Sequence, residues 1–142
     1  MTRKEDNIGF ALSEPGPVKP GSNRQKCVLI YDDDQEILFL CKAILAKNNY
    51  RVETLSRCEN VMSDIDLIKP GIILMDLWIP DIGGEKAITM MKENPATQHI
   101  PVILFSANAD IKEICKKIKA DGYIEKPFDI AALKATIEEN IL

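Results

Sequence analysis

The sequence predicts a doubly wound α/β domain, with five parallel strands in one sheet and helices on both faces. Three observations predict it. From Lys26 onward, short apolar runs alternate with longer amphipathic stretches, five times over. The apolar runs lack polar alternation, as strands buried on both faces do. The connections are short, so each strand returns to the sheet through one crossover helix.

Each element has its own signal. Cys27-Val-Leu-Ile-Tyr31 is a short apolar run and reads as the first strand. The stretch Gln35–Lys47 follows with Leu38, Cys41 and Leu45 at helical spacing, flanked by Ile37 and Ile44. Asp34 stands where it can cap that helix. Arg51–Leu55 reads as a strand with polar flanks, and Ser56 is expected to cap a helix running to about Leu67. Pro70-Gly71 marks a turn before the most apolar strand, over 72–75. A loop over 80–84 leads to a helix over 85–92, which Asn94-Pro95 ends. Pro101 opens a strand over 102–105. A basic amphipathic helix follows over 110–119, then the short strand Gly122–Glu125. Asp129 is expected to cap a last helix reaching Leu142.

The chain divides near residue 26. Residues 1–25 carry Pro15, Pro17, Pro20, Gly16 and Gly21 among charged side chains. Their apolar content is too small to offset the entropy of ordering, so a disordered tail is expected there. A short peptide around Ile8, Phe10 and Leu12 is the one partner-binding feature it offers. Residues 26–142 make a single domain with no room for a second.

Composition excludes several classes. Of 142 residues, 46% are hydrophobic and 28% charged, the balance of a globular domain. The net charge of −4 argues against direct nucleic-acid binding, which asks for a basic face. No apolar stretch is long enough to span a membrane. The charged N-terminus has no secretory character. Cys27, Cys41, Cys58 and Cys115 are widely spaced, as buried free thiols in a reducing, cytoplasmic setting would be.

The chemistry-bearing residues fall at strand ends. Asp32, Asp33 and Asp34 follow the first strand, Asp76 closes the third, Ser106 the fourth, and Lys126-Pro127 follows the fifth. In an open parallel sheet, ligands bind beyond the carboxyl ends of the strands, where strand order reverses. That edge would combine acidic oxygens for a divalent cation, a carboxylate nucleophile, and a hydroxyl and an ammonium for an anion. The set points to reversible phosphorylation of Asp76. Taken singly, each residue has a plainer reading: a solvated turn with a helix cap, an Asx turn before Pro80, a turn-capping serine, a surface lysine. Convergence on one edge is what favours the site. His99, the lone histidine, reads as a loop residue.

Four motifs then carry a family resemblance: Val28-Leu-Ile-Tyr-Asp-Asp-Asp34, Ile73-Leu-Met-Asp-Leu-Trp-Ile-Pro-Asp-Ile-Gly-Gly84, Leu104-Phe-Ser-Ala107 and Gly122-Tyr-Ile-Glu-Lys-Pro-Phe128. In that order and spacing, the chain resembles the receiver domain of two-component response regulators, of the chemotaxis-regulator kind. The resemblance implies a flavodoxin-like strand order 2-1-3-4-5. It implies that Asp76 accepts a phosphoryl group from a sensor histidine kinase or a histidine phosphotransfer protein. It implies Mg²⁺ held directly by Asp33 and Asp76, by Asp32 largely through water, and by the backbone carbonyl of Trp78. Three crowded carboxylates are unfavourable when ionised and empty, and a divalent cation with oxygen ligands relieves them. Ser106 and Lys126 would hold phosphoryl oxygens, and the Lys126-Pro127 bond resembles one that is cis in the family.

Further roles come with the resemblance. Ser106 and Tyr123 would form the switch: Ser106 moves toward the phosphoryl group and Tyr123 turns inward, altering the face of the last two strand-helix units. Trp78 and Asn108 would border the phosphoryl group and tune its lifetime. Ile37 and Leu40 on the first helix would dock the kinase, with Ile44 and Phe39 nearby. Such a domain catalyses only its own phosphorylation and dephosphorylation, meets an output partner, and in some cases dimerises on phosphorylation. The basic residues Lys112, Lys116, Lys117 and Lys119 read as a solvated face or an output contact. Three other functions compete. A Mg²⁺-dependent phosphatase with an Asp nucleophile would use Asp32 and Asp34 as its D-x-D, but Glu36 replaces the usual small residue. A flavin module would need a Ser- or Gly-rich first loop, which three carboxylates contradict. A receiver-like interaction domain need never be phosphorylated.

Overall fold

The computed structural model describes residues 25–142. The peptide of Ile8, Phe10 and Leu12, and nearly all of the expected tail, lie outside the described residues. Five strands and five helices alternate: β1 (Cys27–Tyr31), α1 (Gln35–Lys47), β2 (Arg51–Leu55), α2 (Val61–Ile68), β3 (Ile72–Asp76), α3 (Gly84–Glu93), β4 (Val102–Ser106), α4 (Ile111–Ile118), β5 (Gly122–Glu125) and α5 (Ile130–Asn140). The strands form one parallel sheet in the order β2-β1-β3-β4-β5, as the sequence predicts.

Strand alternation sorts the apolar runs into two cores. Leu29, Tyr31, Ile73, Met75, Val102 and Leu104 face α2, α3 and α4. Val28, Ile30, Ile72, Leu74, Ile103 and Phe105 face α1 and α5. Every residue of β1, β3 and β4 is buried, and each such Leu or Ile contributes about 1.5–3 kcal/mol. Because both faces are apolar, hydrophobicity alone does not set the register of these strands. Their polar ends do: a one-residue slip of β3 would drag Asp76 down among the apolar side chains. The four cysteines are free and buried. No helix among the described residues is long and apolar enough to cross a membrane.

The structure corrects several helix ends. Ser56 does not cap the second helix. Asn60 does, its side chain accepting the Ser63 N–H at 3.1 Å. The stretch between them is held extended: Cys58 N–H donates to the Pro80 carbonyl, and the Ile82 N–H donates to the Cys58 carbonyl, both at 3.1 Å. A backbone engaged in this way cannot turn into a helix. At the other end of the fold, α5 stops at Asn140, because the Leu142 N–H donates instead to the Gly71 carbonyl at 3.1 Å. Helix α4 spans Ile111–Ile118, and the Asp110 side chain makes no capping bond.

Candidate functional site

The carboxyl ends of β1, β3, β4 and β5 open onto a cleft of about 480 Å³. Asp32, Asp33, Asp34, Asp76, Ser106 and Lys126 line it, with Ile37, Trp78 and Asn108 on its walls. Strand order produces this grouping. β1 and β3 are neighbours whose crossover helices lie on opposite faces, so the loops after them part and leave a crevice.

Lys126 is the hub of the charge arrangement. Its ammonium lies 2.5 Å from Asp32 Oδ2 and 3.4 Å from Asp76 Oδ1. It also sits 4.7 Å from the centroid of the Phe105 ring, whose face favours a cation. Phe105 in turn packs on Phe128, with ring centroids 5.4 Å apart. The Lys126-Pro127 peptide bond is cis. Asp32 is buried and takes a second hydrogen bond from the Asp34 N–H at 2.9 Å. Asp34 caps α1, accepting from the Glu36 and Ile37 amides. Of the three acidic residues after β1, Asp32 and Asp33 join Asp76 as possible metal ligands, while the Asp34 carboxylate, also on the cleft wall, is engaged in capping the helix.

Electrostatics distinguish Asp76 from an ordinary carboxylate. Burial pushes its carboxyl above the usual range; Lys126 pulls it back, and Asp32 and Asp33 push it up again. The net shift is upward. Burial disfavours the charged form of Lys126, but the hydrogen bond and charge of Asp32, with those of Asp76, outweigh it and raise its value. Asp32, Asp33 and Asp76 can each offer an oxygen within 4.8 Å of the others. An all-oxygen set of this size fits Mg²⁺ by donor chemistry. Ser106 is buried at the end of β4, and its Oγ accepts the Asn108 N–H at 3.1 Å.

The residues expected to switch and to dock lie around the cleft or outside it. Tyr123 lies on edge strand β5 with its side chain exposed, outside the lining. Leu40 is exposed on the outer side of α1, and Phe39 is more so, at 79%. Ile37 and Ile44 are only half-buried and pack against the α1–α5 core, so Ile37 is partly a core residue that borders the cleft. Trp78 is 71% exposed, so its ring stands at the cleft mouth and is not part of the core.

The structure also adds groups that sequence reasoning missed. The Tyr31 hydroxyl donates to Asp64 on α2 at 2.7 Å, tying the strand before the acidic cluster to that helix. Lys92 donates to the Gln98 and Ile100 carbonyls and pairs with Asp121 at 2.7 Å, anchoring α3 to the loops before β4 and β5. Gly84 has no room for a side chain: a Cβ there would run into the Asp76 carbonyl and lie 2.9 Å from Leu77 Cα. Of these, only the Gly83-Gly84 pair carries a visible sequence signal. The others join residues far apart in the chain.

Comparison with known proteins fits this geometry. The family model of the response regulator receiver domain matches residues 28–138. The chain belongs to that family. The receiver is 34% identical over 116 residues to the nisin biosynthesis regulatory protein NisR of Lactococcus lactis, covering 80% of this chain and 49% of that protein. It is 30% identical over 119 residues to the polar-differentiation response regulator DivK of Brucella anthropi, covering 80% of this chain and 94% of DivK. The receiver thus spans about half of NisR and nearly all of DivK. In fold it resembles the chemotaxis protein CheY4 of Vibrio cholerae, with a TM-score of 0.74 at 20% identity over 83% of this chain and 100% of that one. It also resembles the receiver domain of sensor histidine kinase PA1611 from Pseudomonas aeruginosa, solved with a magnesium ion in its active-site cleft. There the TM-score is 0.74 at 22% identity, over 82% and 98% of the two chains. Residues 28–138 are a receiver domain of two-component signalling.

Proposed function

We propose that this receiver accepts a phosphoryl group on Asp76 from a phospho-histidine of a sensor kinase or phosphotransfer protein. One observation carries the reading: a buried carboxylate with a raised proton affinity lies in an acidic cleft, against the ammonium of Lys126 and beside Ser106. A surface turn would not pair Lys126 with two buried aspartates. Asp76 Oδ attacks the phosphorus, the P–N bond breaks, and its electron pair returns to the imidazole nitrogen, leaving an acyl phosphate. Water later attacks the same phosphorus, and the bond to the Asp76 oxygen breaks.

The chain's part is positioning and charge balance. Lys126 holds one phosphoryl oxygen as a point charge, and the Ser106 hydroxyl donates to another. Asp33 and Asp76 would hold Mg²⁺ directly, with Asp32 acting through water and the Trp78 carbonyl completing the set. When bound, the ion offsets the repulsion between the carboxylates and the incoming phosphate. Trp78 at the cleft mouth screens the acyl phosphate from water, and Asn108 borders it from the other wall. As Ser106 is drawn to the phosphoryl group, Tyr123 leaves its exposed position and turns inward, altering the α4-β5-α5 face. That face then meets an output partner or a second copy. The kinase docks on Ile37 and Leu40 of α1. The receiver spans 26–142, acts in the cytoplasm on no separate substrate and contacts no nucleic acid itself.

Intact mass after incubation with acetyl phosphate and Mg²⁺ tests this. One added phosphoryl group is expected, absent in Asp76→Ala and in EDTA. A folded chain that binds Mg²⁺ yet gains no mass from acetyl phosphate or from a phosphorylated histidine donor would refute it. Steady release of phosphate from small phosphate esters, with no adduct, would favour a phosphatase.

A further inference from the structure

We infer that Arg57 is a positioning residue for this site: its two-pronged ion pair with Asp81 holds the loop over 77–83, and with it the Trp78 carbonyl, in the conformation that receives Mg²⁺. This rests on the phosphoacceptor reading above. Arg57 stands outside every motif of the sequence, just after β2. Its Nε donates to Asp81 Oδ2 and its Nη2 to Asp81 Oδ1, both at 2.8 Å. A guanidinium that meets a carboxylate with both prongs fixes orientation as well as distance. Glu59 is the other carboxylate in reach, 3.2 Å from Arg57 Nε.

The backbone repeats the clamp. Cys58 and Asp81 form an isolated parallel bridge, through the two 3.1 Å bonds that link Cys58 to Pro80 and Ile82. β2 and β3 lie on either side of β1 and do not pair with each other. The bridge therefore joins their two loops past the carboxyl end of β1. Beneath it, Tyr31, Cys58, Leu77 and Ile79 are packed in one buried cluster. The clamp closes the α2–α3 side of the acidic edge.

The loop needs holding. Asp81 has φ of +83°, a value uncommon for a residue other than glycine, though Asp and Asn adopt it more readily than most. Gly83 follows at +82°. The base of the loop is fixed by the Gly84 N–H donating to the Leu77 carbonyl at 3.0 Å. The outer turn, two to four residues beyond Trp78, is held from β2 by the Cys58 bridge and the Arg57 pair. Arg57 is 61% exposed, so the pair adds little to global stability. Its free energy goes into loop position, where it is read as cation affinity.

The test uses the full chain, with Trp78, the only tryptophan, as a fluorescent reporter on the cleft wall. Arg57→Ala and Asp81→Asn should each weaken Mg²⁺ binding by about fivefold. Asn tolerates the left-handed conformation, so that variant removes the charge pairing without adding strain. Arg57→Lys should fall between, since an ammonium makes one bond where the guanidinium makes two. The double variant should be no weaker than the worse single one, because both remove the same interaction. Urea midpoints in EDTA should stay close to the parent's. Parental Mg²⁺ affinity in both single variants, or additive losses in the double, overturns the latch alone. A parent chain that binds no Mg²⁺ and takes no phosphoryl group overturns the phosphoacceptor reading and the latch with it.

Discussion

Replacing Lys126 with Met removes the one cation that the described residues place against Asp32 and Asp76. The side chain is 15% exposed, while those of Asp32 and Asp76 are 1% and 7% exposed, so solvent cannot take its place. At 3.4 Å from Asp76, with an effective dielectric of about 20, the Coulomb attraction is about 5 kcal/mol. Desolvation of the three groups offsets much of that, and breaking a buried pair from one side costs about 3–5 kcal/mol. Asp76 softens the loss by taking up a proton, toward which burial already pushes it. We expect Lys126→Met to be less stable by about 2–3 kcal/mol at pH 7 in EDTA. The second consequence has the opposite sign. Lys126 and Mg²⁺ neutralise the same carboxylates, so the variant should bind Mg²⁺ more tightly, about tenfold for each 1.4 kcal/mol of lost competition. Its stability deficit should then shrink as Mg²⁺ is added, by linkage. Urea unfolding followed by circular dichroism, across a Mg²⁺ series, measures both. If the variant is as stable as its parent in EDTA, or binds Mg²⁺ more weakly, Lys126 is a peripheral lysine and not the resting counter-ion of the site.

Four further outcomes follow from the same geometry. The raised proton affinity of Asp76 contributes stability that is fully present below the ordinary value of 3.8 and is lost as pH rises through the folded value. Asp76→Asn, which does not titrate, should therefore be more stable than the parent at pH 7 in EDTA, with the gap closing toward pH 4; urea midpoints at the two pH values check this. Trp78→Asn should hasten loss of the phosphoryl group on the order of tenfold, a barrier change of about 1.4 kcal/mol, measured by the decay of the phosphorylated mass. Gly84→Ala forces a Cβ into the Asp76 carbonyl and Leu77, and should cost about 1–3 kcal/mol and slow phosphorylation, seen in parallel unfolding and mass experiments. Lys92→Met strips the Gln98 and Ile100 carbonyls and Asp121 of a shared donor, and should cost about 1–3 kcal/mol with faster amide exchange before β4, while leaving Mg²⁺ affinity unchanged.

How much of this was legible in the chain depends on the range of the interaction. The strands β1, β3 and β4 were legible because unbroken apolar runs of this length are buried on both faces whatever surrounds them. The α1 cap was legible because Asp34 reaches amides two and three residues on. The Ser56 cap failed for the complementary reason. A good local capping residue lost to backbone bonds between Cys58 and the loop carrying Pro80 and Ile82, and no window around Ser56 contains those partners. The Ile37 side chain went the same way: helical spacing placed it beside the core stripe, but its contact with the core depends on how α1 is set against the sheet.

The alternation of elements, the strand ends on which Asp32, Asp33, Asp76, Ser106 and Lys126 stand, and the family to which they belong could all be read along the chain. Those are consequences of period, apolarity and local chemistry, all carried by neighbours in the chain. That Lys126 closes on Asp32, 94 residues away, and that Arg57 grips Asp81 from across the end of β1, was settled by the tertiary fold alone. Each of these is a pairing of charged groups separated by a whole strand-helix unit or more. Which charges meet is set by the order and twist of the sheet, and the sheet exists only once the chain has folded.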